Sequence, residues 1–185
     1  MNAIRSIRTG WMCLLASLAL LGAGSAFAAN ETTIDADSQA ALTALYQESP
    51  TAKSLGQKAK GVLVFQNIVK AGFVVGGQSG DGVLLKQGKR AGYYHSAAVT
   101  VGMQAGAQSF AFAIFFMSDK AMNDFEKSKG WEIGVGPNIV IVDSGAAKDI
   151  STLTAKADVY GFVFGQKGLM GGVGLQGTKI SKLKS

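Results

Sequence analysis

Cysteine and histidine occur once each in the 185 residues, at Cys13 and His95, and proline twice, at Pro50 and Pro137. A single thiol excludes an intramolecular disulfide and any zinc site built on paired cysteines. The single imidazole and the twelve acids, scattered singly at Asp81, Glu132, Asp143, Asp149, Asp158 and elsewhere, form no cluster at metal-ligand spacing. We therefore expect no metal, no cofactor and no catalytic residue. Charge is scarce too, at 16% of residues, and leans basic with a formal net charge of +6. The lysines are dispersed rather than gathered in a stripe, which speaks against nucleic acid. Nucleotide chemistry finds no support either. Gly77-Gln-Ser-Gly80-Asp-Gly82 lacks the Gly-Lys-Ser/Thr ending of a phosphate loop, and GVGLQG from Gly172 continues as strand instead of opening a helix.

What the chain has in quantity is glycine, 25 residues, and apolar residues, 48%. Arg5 and Arg8 precede an apolar segment from Trp11 to Leu21, and small residues lead to Ala26-Phe27-Ala28. That order reads as a secretory signal peptide, residues 1–28, too short in its apolar core for the ~20 residues of a membrane span. Cleavage after Ala28 removes Cys13 and leaves 157 residues with 16 basic and 12 acidic side chains, a net +4. We expect a periplasmic protein or one at the periphery of the outer membrane. A chain of that length is enough for one domain, and no linker composition divides it. The expected organisation is a helical lead-in over 29–48 and a single domain over 49–185.

In the lead-in, Ala41, Leu42, Leu45 and Tyr46 fall at helical spacing, with Asp35 or Asp37 as candidate caps and helix expected over 36–48. Ser49 and Pro50 then make a cap and first-turn pair for a second helix over 50–59. Its Ala52, Leu55 and Ala59 share a face, with Lys53, Lys58 and Lys60 elsewhere around it. Such a basic amphipathic helix suits an anionic membrane surface, although a surface helix packed on a sheet has the same pattern.

Strand signals dominate the rest. Val62-Leu63-Val64-Phe65 is apolar without alternation, as in a strand covered on both faces. After a link, Gln66–Lys70, the run Phe73-Val74-Val75 reads as a second buried strand that dissolves into glycines. A polar turn at Gln87–Arg90 makes a basic tip of Lys86, Lys89 and Arg90. From Tyr93 the chain alternates with period two, Tyr93, His95, Ala97 and Val99 on one face and Tyr94, Ser96, Ala98 and Thr100 on the other. Ser109–Met117 sets Phe110, Phe112, Ile114 and Phe116 against Ala111, Ala113, Phe115 and Met117, a thin face suited to lie under another layer. Ser118 caps a third helix, expected over 119–129 and stopped by Gly130. Further strands are expected at Trp131–Val135 and Ile139–Val142, with a polar connection at 143–154. A hairpin is expected from Tyr160, Phe162 and Phe164 through a turn at Gly165–Gly168 to Leu169, Val173 and Leu175. Glycine inside strands marks bends and close approaches, so the expected class is α+β, mainly antiparallel β, with a strongly curved Gly-rich sheet or barrel-like core and a few short helices.

The succession AKGVLVF at Ala59–Phe65, NIVKAGF at Asn67–Phe73 and GGQSGDG at Gly76–Gly82, with KGLMGGVGLQGTKI at Lys167–Ile180, resembles the SYLF domain family. The resemblance spans Ser49 to Ile180. It departs from the family pattern at Gln66, where proline is usual, and at Tyr94-His95-Ser96, where a Trp-Ser pair is common. What it implies is membrane phospholipid binding, of phosphoinositides in eukaryotic members, and actin binding in yeast. In an exported protein the implied partner is an anionic phospholipid membrane, with Lys53, Lys58, Lys60, Lys70, Lys86, Lys89 and Arg90 as candidate headgroup contacts. A structural or protein-interaction scaffold of the envelope is the alternative, actin being a remote case. A hydrolase around His95 and Ser96 is a third reading, less favoured because the acid of a triad would have to come from elsewhere. Alone on a face with Tyr93 and Val99, His95 reads as a packing residue.

Intact-mass analysis of the exported protein tests the processing: the expected mature N-terminus is Ala29, and an uncleaved chain or a lipid on Cys13 overturns it.

Overall fold

The structure, a computed structural model, describes residues 23–128, 130–133, 139–143, 157–168, 175 and 177–183. Helix α1 runs Ala23–Glu48, α2 Pro50–Lys58 and α3 Asp119–Lys127; the strands are β1 Gly61–Lys86, β2 Lys89–Phe116, β3 Trp131–Glu132, β4 Ile139–Asp143, β5 Val159–Gly168 and β6 Lys179–Lys182. Residues from Ile34 on form one compact unit. Its sheet is mixed and curls strongly into a half-barrel, in the order β3-β6-β2-β5-β4 with β1 also paired to β2.

The two long strands make one hairpin, β1 antiparallel to β2 from Gly61↔Phe116 to Lys86↔Lys89. Gln87 and Gly88 close it, both at positive φ (51° and 75°), the backbone a two-residue turn needs to match strand twist. The hairpin is doubled over on itself. The pairing slips between Phe73 and Val75, where Val74 takes φ 65°, a strained conformation for a β-branched residue. A β-carbon on Gly72 would collide with Gly76, one on Gly80 with the Asn67 carbonyl and Ile68, and one on Gly82 with the Val64 carbonyl and the Phe65 ring. The Gly76–Lys86 half of β1 thus lies against its Gly61–Gly72 half, at a distance only glycine permits.

This corrects two expectations. The link at Gln66–Lys70 is not a break between strands but an irregularity within one, between Phe65 and Ile68; Ser38 Oγ donates to Gln66 Oε1 there at 3.0 Å. The run Phe73-Val74-Val75 is not a buried strand, being 78%, 51% and 59% exposed. It is the fold of the doubled ribbon, where no described residue buries it.

Where β1 meets the end of β2, both faces are covered, which is why Val62–Phe65 reads as an unbroken apolar run. Leu63, Phe65, Phe110, Phe112, Ile114 and Phe116 join Met122 and Phe125 of α3 and Trp131 in one core cluster. The Phe65 and Phe112 rings stack at 4.5 Å, and Phe125 meets Phe116 at 4.8 Å and the Trp131 ring edge-on at 5.7 Å. On the thin face, Val62, Val64, Ala111, Ala113 and Phe115 lie with Leu45 of α1 and Ala52 of α2, as the bulky-versus-small partition leads one to expect. Ser49 and Ser118 cap α2 and α3, accepting from the Ala52 and Ala121 amides at 3.1 and 3.2 Å.

Other differences have local causes. Helix α1 begins at Ala23, upstream of the expected start at 36, because Ala23, Ala26, Ala28 and Ala29 are strong helix formers. Asp35, freed from capping, pairs with Arg90 instead. Gly165–Gly168 remains in β5, with Lys167 opposite Ser109 and Gly168 opposite Gln108. Gly165, at φ 61°, takes up a bulge where the register slips between Ser109 and Ala111. The expected turn is therefore a bulge, and the return arm at Leu169 and Val173 lies outside the described residues, as do Val135, Pro137, most of 143–154, Lys129 and the expected signal segment up to residue 22. Strand β4 runs parallel to β5; the stretch between them is long enough for the crossover a parallel pair needs.

Replacing Gly82 by alanine should destabilise the fold by about 1–3 kcal/mol through overpacking, while Gly88→Asn, in open space at φ 75°, should stay within about 0.5 kcal/mol. Urea denaturation of the two variants checks the close approach, and equal stabilities would refute it.

Candidate functional site

Doubling β1 back on itself brings its two ends together. Lys60, just before the strand, Lys86, at its last position, and Lys58, at the end of α2, line one open cleft of about 600 Å³ with Ala59, Gln87 and the first turn of α3, Asp119, Met122 and Asn123. The three lysines come from stretches that the sequence separates into a helix and a hairpin tip. Lys60 is tied down at the backbone, its amide donating to the Phe116 carbonyl at 2.8 Å. Its ammonium stands 3.2 Å from Asp119 Oδ2, and that of Lys86 stands 2.6 Å from Glu126 Oε2. Lys58 makes no ion pair among the described residues, and it sits in the last turn of α2, where a cation suits the helix dipole.

Pairs this exposed are worth about 0–1 kcal/mol each, so the carboxylates orient Lys60 and Lys86 without committing them. An incoming anion with several oxygens can displace both. Asp119, Met122, Asn123 and Gln87 did not stand out in the sequence. The signal that could have found them was the Ser118 cap, which places the start of α3 beside the strand ends.

The remaining candidates are not brought into the cleft. Lys53 and Lys89 are exposed but do not line it. Arg90 is held by Asp35 at 2.8 Å and by the Tyr93 hydroxyl at 2.6 Å, with its guanidinium 5.2 Å from the Tyr93 ring centre. Tyr93, with a buried ring, and Arg90 both have their pKa raised, Tyr93 chiefly by burial and Arg90 chiefly by the Tyr93 and Asp35 contacts. Lys70 is only 3% exposed. It stands opposite Gln108 in the ladder, and Gln78, also buried, donates to Thr178 Oγ1 at 2.9 Å.

His95 is not the packing residue its alternation suggested. Tyr93 is covered by Ile34, Val83 and Leu85, but two positions on the face opens to water, and Val99 is 79% exposed. The His95 side chain, 41% exposed, contacts Asp81 Oδ1 through Nδ1 at 2.6 Å and Ser79 Oγ through Nε2 at 3.3 Å. Ser96 cannot serve it. Its hydroxyl is buried on the opposite face, with no partner among the described residues.

Behind the cleft, the Tyr94 ring packs 4.9 Å from Phe125. Burial, with a smaller contribution from the Glu126 charge, pushes its phenol from 10.0 up to about 12.

A family model described as Ysc84, Las17-binding protein actin regulator, matches residues 97–185. This bears out the SYLF resemblance, and the family is one of actin- and lipid-binding domains. The matched segment holds the α3 wall of the cleft, while Lys58, Lys60 and Lys86 precede it. No curated protein matches the chain.

The raised Tyr94 pKa fixes the sign of a pH dependence. The unfolded phenol ionises near 10 and the folded one near 12, so this contribution to stability is complete below pH 10 and is lost as pH rises from 10 to 12. Denaturation midpoints should therefore fall between pH 10 and 12, and fall less in Tyr94→Phe. An identical slope in the variant would show that Tyr94 is not shielded.

Proposed function

We propose that this chain is a module that binds anionic phospholipid headgroups at the bacterial envelope, and that the headgroup sits in the cleft of Lys58, Lys60 and Lys86. The observation that carries this reading is the convergence of three lysines, two from the end of α2 and its junction with β1 and one from the far end of β1, on one open cleft. A phosphate ester bridges ammonium groups held around it, and the carboxylates that hold two of them are weak, exposed partners. The cleft is open to the outside, as recognition of a headgroup still attached to a bilayer requires. In an exported bacterial protein, phosphatidylglycerol and cardiolipin are the lipids that present this chemistry.

A second reading, a protein-interaction scaffold, is favoured by the bend at Phe73–Val75. With Val69 and Val99 it exposes five large apolar residues, more than scattered surface residues account for.

Co-sedimentation with vesicles distinguishes them. Binding should need anionic lipid and be absent with neutral phosphatidylcholine alone. At about 1 kcal/mol per lysine near the surface, Lys58→Gln, Lys60→Gln and Lys86→Gln together should weaken partitioning by about 2–3 kcal/mol, roughly 30- to 150-fold. Lys53→Gln with Lys89→Gln, outside the cleft, should cost less. Raising salt toward 1 M, where the Debye length is about 3 Å, should mimic the triple change in the unaltered protein. Vesicle binding unmoved by the triple change overturns the cleft as the headgroup site.

A further inference from the structure

We propose that Ser79 is a nucleophilic serine, activated by His95 with Asp81 as its positioning partner, that accepts the acyl group of activated carboxylic esters. The three residues come from facing stretches of the hairpin: Asp81 is the direct partner of His95 across the ladder, and Ser79, two residues earlier, is the partner of Ala97. Ser79 and Asp81 therefore point to the same face as His95, one opposite it and one diagonal to it, both within reach of a single imidazole. The atoms meet in a functional order. Asp81 Oδ1 lies 2.6 Å from Nδ1, and Ser79 Oγ lies 3.3 Å from Nε2.

A carboxylate can only accept, so in the neutral ring it takes the Nδ1 hydrogen and leaves the Nε2 lone pair facing the hydroxyl. Ser79 then donates to Nε2, the polarity a general base requires. Had the ring been turned over, with Asp81 on Nε2, the strand pairing would be the same and the two oxygens would have exchanged nitrogens. Neither the cleft lysines nor the proposed lipid reading involves any of these three side chains. The surroundings agree with access: Ser79 is exposed and its neighbour Val99 stands open to water.

The step is ordinary acyl transfer. Ser79 Oγ forms a bond to the ester carbonyl carbon while its proton passes to His95 Nε2. The bond to the leaving alcohol then breaks, and the alcohol takes that proton, leaving an acyl-serine and a neutral imidazole. Water can return the serine by the same route in reverse, releasing the acid. General-base activation supplies about 10²–10⁴-fold, whereas each oxyanion donor in an enclosed site adds about 10²–10³-fold. On an open sheet face the first contribution stands without the second, which predicts covalent capture of strongly activated donors with slow turnover.

A fluorophosphonate probe with peptide mapping by mass spectrometry tests this on the folded, full-length protein; its phosphorus–oxygen bond forms as fluoride leaves with the serine proton. The expected result is a one-to-one adduct at Ser79, far ahead of Ser54, which is exposed on α2 and has no imidazole beside it. His95→Ala should slow labelling about a hundredfold or more, and added imidazole should restore part of it, an effect that a structural role for the ring would not give. Asp81→Glu should keep labelling and Asp81→Asn should lose it, with unfolding midpoints showing that both variants are folded. Labelling no faster at Ser79 than at Ser54, or a rate indifferent to His95→Ala, overturns the assignment. Vesicle binding by Ser79→Ala should equal that of the unaltered chain, so failure here leaves the lipid reading standing, and the reverse.

Discussion

The close approach of two backbone stretches within β1 is the constraint on which the rest of this fold depends. A β-carbon at Gly72, Gly80 or Gly82 would enter space that holds main chain or buried side chain of the opposing half. Only because these positions carry none can a 26-residue strand lie double instead of running out as an isolated ribbon, which in water is marginal at best. The doubled hairpin then leaves the far edge of β2 free, and β5 builds on its Gln108–Phe116 half and β6 on its Tyr94–Ala97 stretch, with β4 and β3 following on those. Helices α1 and α2 close the thin face and α3 closes the other.

The same doubling makes the cleft. Residues 60 and 86 are neighbours because the chain between them goes out and comes back, and Lys58 joins them because the Ser49 cap fixes where α2 ends. Each lysine alone is an exposed side chain with a weak partner or none. The strand ends and the end of α2 fix where the three side chains start, so an anion meets the ammonium groups converging, although each side chain still gives up rotamer freedom on binding.

Much of this could be read from the residues. The unbroken Val62–Phe65 run, the partition of Phe110–Met117 into bulky and thin faces, the Ser49 and Ser118 caps and the abundance of glycine inside strands all carry their structural meaning locally. So do the basic candidates as types. What could not be read is what depends on contacts between distant positions. Nothing near Phe73–Val75 says that the strand turns over there, since an apolar triplet in a bend and one in a core look alike. Lys70 is buried opposite Gln108, and Arg90 is engaged by Asp35, both far away in sequence. The acid that His95 lacks among its sequence neighbours is Asp81 on β1, because cross-strand pairing, not sequence adjacency, decides which side chains meet. The serine changed for the same reason: residues 95 and 96 face opposite sides of the sheet, whereas 79, 81 and 95 share one.

The doubled ribbon also separates the two surfaces that could meet a membrane. Gly61 and Lys86 stand at its cleft end and the exposed triplet Phe73–Val75 at its bend, with the strand Gly61–Gly72 between them. At about 3.3 Å per residue that strand spans on the order of 35–40 Å, comparable to the thickness of a bilayer with its headgroups. A flat bilayer met end-on therefore touches the lysines or the apolar bend, not both. The two contacts have opposite physical signatures, since attraction of lysines to phosphates fades as salt rises whereas burial of Phe73 and its neighbours in acyl chains does not. No charged residue interrupts β2 from Ala91 to its end at Phe116, so nothing on that strand near the bend would add a salt-sensitive component to an apolar contact. Lys167 of β5, exposed opposite Ser109, is one cation on the bend side of the sheet, against three in the cleft, so the steeper salt dependence of vesicle binding belongs to the cleft end.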